Sequence, residues 1–153
     1  MGLQASGKST FAHGRLADHV YVSKDAMRNV KNKARRQEAM IRQAFEQGQS
    51  VVVDNTNPAA ADRAALIALA REFGTQVIGY YFAAEIEACL ERNRQRKDTA
   101  RVPDVALYTT WRKLELPTLA EGFDQLYSVE LDVERRDFII SEWPQQQDAD
   151  QCA

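Results

Sequence analysis

A run of phosphate-binding residue types opens the chain. Residues 2–10 match G-x-x-x-x-G-K-[ST], the pattern of a P-loop. Its glycines permit backbone angles at which successive N–H groups converge on one anion. Lys8 supplies a positive charge for the β- and γ-phosphates, and the Ser9 hydroxyl is a hard oxygen ligand for Mg²⁺. The motif predicts a site for ATP and Mg²⁺ formed by Gly2, Ala5, Ser6, Gly7, Lys8, Ser9 and Thr10.

A carboxylate lies where phosphate transfer would need a base. Asp25 follows the apolar run 19–23, and Arg28 comes three residues later, one helical turn on. A carboxylate at the end of a strand that faces bound nucleotide can accept the proton of an attacking hydroxyl. Arg28 can then hold an anionic group on the acceptor. Beside a P-loop we favour catalysis over a helix cap at Asp25.

A second acid follows a second apolar run. Three valines lead into Asp54, as in a strand that ends in an acid beside a Mg²⁺ site. Asp54 can also cap the turn that contains Asn57, and both roles can hold together. We therefore predict that Asp54 binds the metal with Ser9 and that Asp54 and Asn57 lie on the acceptor side. Asn57 and Pro58 suit the first positions of the following helix.

Arginines cluster where a predicted helix gives way to a polar loop. They are Arg92, Arg94 and Arg96. Phosphoryl transfer needs positive charge at the β- and γ-oxygens as the bond breaks, and an arginine on a closing lid can deliver it. Because Arg92 and Arg96 are four apart, they would share a helix face. The cluster predicts a lid that binds the nucleotide.

Two aromatic residues further on have two interpretations. Tyr108 and Trp111 are three apart and can stack on bases. Core packing is the more frequent role of such a pair, and we expect it here. His13 and His19 have no metal-ligand spacing and are expected to be ordinary helix and strand residues.

The elements that must position these residues alternate along the chain. The hydrophobic pattern predicts strands at 19–23, 50–54, 76–82 and 126–131, and helices at 8–17, 33–47, 57–73, 86–96 and 104–113. This alternation predicts an α/β fold of the P-loop NTPase type, a parallel sheet with helices on both faces. Ligands then bind at the carboxyl ends of the strands, where the P-loop, Asp25 and Asp54 would meet. Residues 1–143 are predicted to form one domain and 144–153 a disordered tail.

The strand that should carry the P-loop is not in the sequence. A P-loop normally follows a buried apolar strand, but only Met1 precedes Gly2 here. We expect the natural start to lie upstream, although a fragment, or a domain that has lost this element, would give the same sequence. The sheet is predicted to lack its first strand.

Composition narrows the class of protein. The 153 residues are 44% hydrophobic and 27% charged, as in one soluble domain. Without a secretory leader or the roughly 18 apolar residues of a membrane span, we expect a cytoplasmic protein with no membrane partner. Cys89 and Cys152 are expected to be unpaired thiols. Net charge is −2, but two basic blocks, 24–36 and 92–101, suit a polyanion held at one site.

Several segments together resemble the kinase domain of polynucleotide 5′-hydroxyl kinases, most closely that of the eukaryotic polynucleotide kinase–phosphatases. The P-loop is shared by many families, whereas Asp-Asn-Thr-Asn-Pro at 54–58 and Pro-Thr-Leu-Ala-Glu-Gly-Phe at 117–123 are more discriminating. The resemblance spans roughly residues 2–130; its segments are the P-loop, Asp25 with Arg28, 52–58, Arg92-Asn93 leading to Arg96, Val102-Pro103, Tyr108, Arg112-Lys113 and 117–123.

The resemblance implies a role for each matching residue. Asp25 would be the general base toward a 5′-hydroxyl, Arg28 would hold the adjacent nucleic-acid phosphate, and Arg96 would be the lid arginine. The Asp-x-Asp-x-[TV] motif of haloacid-dehalogenase phosphatases is absent from the sequence, so we do not expect a 3′-phosphatase half.

The resulting prediction is an ATP- and Mg²⁺-dependent phosphotransferase whose acceptor is a nucleic-acid 5′ end. The alternatives are a P-loop kinase of a small molecule with a hydroxyl acceptor, and a nucleotide-binding module without catalysis. The sequence does not separate ATP from GTP, DNA from RNA, or one oligomeric state from another.

Overall fold

The structure, a computed structural model, describes residues 1–27, 29–97 and 100–144. Its helices are α1 (Lys8–Arg15), α2 (Lys33–Glu46), α3 (Ala60–Glu72), α4 (Ile86–Arg94) and α5 (Asp104–Arg112), with a 3-10 turn at Leu119–Glu121. Its strands are β1 (Val20–Val22), β2 (Val51–Val53), β3 (Ile78–Phe82), β4 (Gln125–Asp132) and β5 (Asp137–Glu142). Arg28 and the predicted tail beyond Pro144 lie outside the described residues.

The strands form two sheets. β1 pairs in parallel with β2, β3 pairs in parallel with β4, and β5 pairs antiparallel to β4. The predicted α/β fold with parallel strands is confirmed. β5 was not predicted, and it turns the end of the chain into a hairpin beside β3.

A cavity of about 500 Å³ lies between the two sheets, with β2 and β3 on its sides. Met1 enters it: the amine donates to the Tyr80 carbonyl at 2.7 Å, and the Met1 carbonyl accepts from the Phe82 N–H at 2.9 Å. On the other side, the Gly2 N–H donates to the Thr56 carbonyl at 2.9 Å. The first two residues thus bridge the two sheets where β2 and β3 end, and no strand precedes α1 among the described residues, as predicted.

We expect an apolar strand added before Met1 to stabilise the domain. The valines of β2 are only half-buried beside the cavity, and parallel strands are normally buried and paired on both sides. Burial and the nearby Lys8 charge also lower the pKa of the Met1 amine to about 4, a cost that an amide would remove.

The test is an extension by about five apolar, β-branched residues. Its urea midpoint should exceed that of the protein without the extension, and a Gly/Ser extension of equal length is the control. Equal midpoints for the two extensions would contradict the expectation.

The helices pack against these strands in separate apolar clusters. Phe11 of α1 packs on Phe82 of β3, and α2 and α3 cover the fully buried Val22 of β1. In another cluster, Leu3 of the P-loop packs with Leu107 of α5. α5 is therefore packed directly on the phosphate loop.

α3 begins later than predicted. It starts at Ala60, whereas Asn57 lies in the preceding turn with φ 41°. The carbonyls of Asn57 and Pro58 accept from the Arg63 guanidinium at 3.2 and 3.1 Å. The prediction that Asn57 and Pro58 begin the helix is wrong, because an arginine of the helix holds these carbonyls in a turn.

The inner face of α5 also differs from the prediction. Leu107 and Thr110 are buried, whereas Tyr108 and Trp111 are 45% and 50% exposed. The expectation that Tyr108 and Trp111 pack in the core is wrong, since the less bulky Leu107 and Thr110 occupy the buried face of the helix.

Candidate active site

The P-loop has the backbone shape of an anion-binding loop. Gly2, Ala5 and Gly7 have φ of 133°, 60° and 101°. Gly7 precedes α1, and no side chain caps that helix, so its first N–H groups are open to a ligand. A Cβ would approach the Phe82 carbonyl to 2.9 Å at Gly2 and the Phe138 ring to 3.0 Å at Gly7. Both positions therefore require glycine, because their φ is positive and because a Cβ would come too close to neighbouring atoms.

Lys8 lies beneath this loop. Its ammonium donates to the Leu3 carbonyl and, at 3.4 Å, to Ser6 Oγ of the loop. Burial lowers the pKa of Lys8 to about 8, and the negative charge of Asp54 opposes that shift. The buried ammonium is therefore suited to binding a strong anion.

Asp25 and Arg96 have exposed side chains whose charges both act on Lys8. Arg96 lowers the pKa of Lys8 and Asp25 raises it. Asp25 follows β1 closely, and its backbone N–H donates to Ser23 Oγ at 3.2 Å. Within the described ranges its carboxylate forms no hydrogen bond, which leaves it available to an acceptor hydroxyl. The structure places Arg96 in the cavity that Ala5 and Gly7 of the P-loop also line, and the role of Asp25 as base stays a prediction.

Asp54 directly follows β2 and is buried. Its Oδ2 accepts from Ser9 Oγ at 2.5 Å and from the Tyr21 hydroxyl at 2.6 Å. Burial, with help from Asp54, raises the pKa of Tyr21, so its hydroxyl remains a donor. No pattern in the sequence singled out Tyr21.

The oxygens of Ser9 and Asp54 fit Mg²⁺. They are hard donors next to a phosphate loop, and Mg²⁺ usually takes one or two such ligands with water and substrate phosphates. In the part of the chain that the structure describes, no group of three or more His, Cys, Asp and Glu could hold a metal by itself. The donor set therefore suits a cation that arrives with the nucleotide.

A buried ion pair fixes the turn after Asp54. Arg63 is 2% exposed, and its Nε and Nη2 donate to the two carboxylate oxygens of Glu121 at 2.6 and 2.8 Å. Burial alone would raise the pKa of Glu121, but the bonds from Arg63 and the Thr118 N–H lower it. Arg63 was not predicted from the sequence, because a single arginine in an alanine-rich helix normally has a solvated side chain. The acceptor role of Asn57, whose carbonyl this pair holds, stays a prediction.

A second cavity, of about 400 Å³, opens beside the loop. Arg92 forms one wall, where its Nε donates to the Ala5 carbonyl at 2.7 Å. Because α4 ends at Arg94, the predicted helix face shared by Arg92 and Arg96 is wrong, yet both arginines line this cavity. The full lining is Ala5, Gly7, Thr10, Arg92, Arg96, Leu131, Val133, Arg136 and Phe138.

The last four of these residues belong to the β4–β5 hairpin, which the sequence did not predict. Apolar side chains facing guanidinium groups can hold a planar ring between them. The hairpin therefore gives the phosphate loop an adjoining compartment of the right chemistry for a nucleobase.

Lys8 should make nucleotide affinity depend on pH. Its pKa is about 8 in the free protein, and bound phosphates must raise it because they favour the charged form. Above pH 8 the protein therefore has to take up a proton to bind, so affinity should fall by up to about tenfold per pH unit. Titration calorimetry of an ATP analogue in buffers of different ionisation enthalpy measures this uptake. The Lys8→Arg variant, which stays charged, should show no such fall.

Comparisons with known proteins agree with a P-loop domain. A family model described as an AAA domain matches residues 1–117. Over 134 residues the chain is 29% identical to the bifunctional polynucleotide phosphatase/kinase of Schizosaccharomyces pombe. The match covers 84% of this chain and 32% of that protein, so the chain spans about a third of the relative's length.

A solved structure gives the same fold. A gluconokinase from Sinorhizobium meliloti 1021 superposes with a TM-score of 0.59 at 20% identity, over 86% of this chain and 80% of that one. Such identity speaks for the fold alone. None of the helices in the described ranges is long and apolar enough to cross a bilayer.

Proposed function

The chain belongs to the AAA domain family, and from that premise we propose that it is an ATP- and Mg²⁺-dependent phosphotransferase acting on the 5′-hydroxyl of a nucleic acid. One observation carries the proposal: Ser9 of the P-loop lies 2.5 Å from the Asp54 carboxylate, and the same loop adjoins a cavity that Arg96 also lines. Phosphoryl transfer requires a phosphate loop, a carboxylate for the acceptor hydroxyl and a cation for the transferred group, which Asp25 and Arg96 would supply here. The similarity to the polynucleotide phosphatase/kinase supports a nucleic-acid acceptor.

Each side chain has one task in this reaction. Lys8 and the first N–H groups of α1 hold the β- and γ-phosphates, while Ser9 and Asp54 would hold Mg²⁺, which supplies positive charge to those oxygens. Asp25 takes the proton of the attacking hydroxyl while the hydroxyl oxygen forms a bond to the γ-phosphorus. The bond from that phosphorus to the bridging oxygen breaks, ADP leaves, and Arg96 offsets the charge that develops.

The second cavity supports a nucleoside triphosphate over a shorter anion. It adjoins the loop at Gly7 and Thr10 and offers Leu131 and Phe138 on one side and Arg92 on the other. We assign the base and ribose of ATP to this compartment.

The direct experiment offers labelled ATP to a panel of acceptors. A 5′-hydroxyl oligonucleotide should gain the label, and a panel of sugars and nucleosides should not. The Lys8→Ala protein, prepared identically, is the control for contaminating kinase. Labelled sugar beside an unlabelled oligonucleotide would overturn the nucleic-acid assignment in favour of a metabolite kinase.

A further inference from the structure

The outward side of α5 carries apolar side chains that nothing in the described ranges covers. Tyr108 and Trp111 are 45% and 50% exposed, and Val105 is 69% exposed. Arg112 is exposed beside them in the last turn of the helix. We name Val105, Tyr108, Trp111 and Arg112 the α5 aromatic face. A contiguous apolar patch bordered by charge is typical of a binding surface.

The inner side of α5 fixes this face beside the P-loop. Thr110 Oγ1 accepts from Gln4 Nε2 at 2.8 Å, and Leu107 packs on Leu3. A helix with its side chains is about 10–12 Å across, so the α5 aromatic face lies about one helix diameter from the phosphate loop. That separation suits nucleotides downstream of the reacting one, and it is too large for contact with the reacting hydroxyl.

The cations of this surface are available to a ligand. Arg112 and Lys113 form no ion pair and no side-chain hydrogen bond with any residue that the structure describes. The nearest acids in sequence are engaged elsewhere: Asp104 approaches Arg94 at 4.0 Å, and Glu115 accepts from a backbone N–H of α3 at 2.8 Å. On other surfaces Arg15, Arg42 and Arg71 pair with carboxylates, whereas the exposed Arg35 and Arg36 of α2 form no ion pair among the described residues.

From these observations we propose that the α5 aromatic face is a stacking platform for single-stranded nucleic acid. The proposal rests on the proposed function and states how that acceptor is held beyond its first nucleotide. Aromatic side chains stack on any base, and neighbouring cations neutralise the phosphates between stacked bases. A single strand supplies both what the rings stack on and what Arg112 and Lys113 neutralise, and a protein partner at this surface is an outcome that the tests distinguish.

Binding of a 3′-labelled, 5′-hydroxyl oligothymidylate of roughly ten nucleotides, followed by fluorescence anisotropy, tests the platform. Tyr108→Ala and Trp111→Ala should each raise the Kd on the order of tenfold, because each removes one stacked base. Ile139→Ala, a substitution of a similarly exposed apolar residue on β5 (51% exposed), should leave the Kd unchanged. Unaltered Kd values for both α5 variants, with the parent binding normally, would overturn the proposal.

Salt dependence and acceptor length test the two parts of the platform separately. The double variant Arg112→Gln/Lys113→Gln should lower the slope of log K against log salt by about 1.4, since each single-strand phosphate contributes about 0.7.

In phosphate transfer, Trp111→Ala should raise the KM of the oligonucleotide and not that of a nucleoside 3′-monophosphate. A KM that rises equally for both acceptors would indicate a structural defect and overturn the proposal.

The remaining outcomes separate the platform from the proposed function. If the parent binds the oligonucleotide through the α5 aromatic face but transfers no phosphate, the proposed function fails and the platform stands. If the parent transfers phosphate and the α5 variants keep its KM, the function stands and the platform fails. If the variants change the oligomeric state of the protein and not oligonucleotide binding, the surface is a protein interface and the proposal is wrong.

Discussion

Asp25→Asn should slow phosphate transfer by about 10²–10⁴-fold while ATP affinity stays the same. The carboxylate is exposed, it forms no hydrogen bond within the described ranges, and its charge reaches Lys8. Asparagine has the same shape and caps a turn about as well, but it cannot accept the proton of the attacking hydroxyl. Single-turnover kinetics at saturating ATP measure the chemical step directly.

The controls for this prediction lie close by in the chain. Asp18 is exposed and precedes β1, at the opposite end of the strand from Asp25, so Asp18→Asn should be silent. Arg96→Ala should slow the same step, whereas Arg94, which pairs with Glu91 at 3.6 Å, should tolerate alanine. A fully active Asp25→Asn enzyme would show that Asp25 has only a structural role.

Arg63→Met should lower the free energy of unfolding by about 3–5 kcal/mol. The substitution keeps an apolar stem in α3 but leaves the Glu121 carboxylate buried without its partner. It also removes the donor that satisfies the carbonyls of Asn57 and Pro58. Urea unfolding with a matched variant, Arg42→Met, measures the difference. Arg42 also pairs with two acids, but at the surface, where solvent screens the pairs and we expect a much smaller loss.

The same pair gives a pH signature. Because the pKa of Glu121 is lowered in the folded state, its contribution is complete above the ordinary value of 4.5 and is lost as pH falls below it. Arg63→Met should abolish that part of the acid sensitivity. Equal losses for Arg63→Met and Arg42→Met would show that the buried pair adds no more than a surface pair.

Sequence patterns sufficed where a local rule decides the structure. The P-loop requires positive φ at fixed positions, and the glycines of the motif indicate where these positions are. Asp54 follows a strand of three valines, so its place at the sheet edge follows from parallel pairing alone.

Features decided by distant contacts could not be read in this way. The turn between β4 and β5 contains no glycine, proline or asparagine; Arg136 takes the left-handed conformation instead, with φ 52°. The start of α3 depends on Arg63, which reaches back to Asn57 and forward to Glu121. On α5, two adjacent pairs with the same spacing competed for the inner face, and the pattern alone favoured the wrong one.

The contact between Phe138 and Gly7 has a consequence for synthesis of the protein. The phosphate loop precedes β4 and β5 in the chain, so it leaves the ribosome before the hairpin that covers it. Phe138 also packs edge-on against Phe11, with ring centroids 5.3 Å apart, so it supports α1 as well as the loop. A nascent chain should therefore acquire ATP affinity late, only once β5 has emerged. Stalled chains that end before Asp137 should fail to retain ATP, and chains that extend well past Glu142 should bind it; early binding would show that the loop takes shape without its cover.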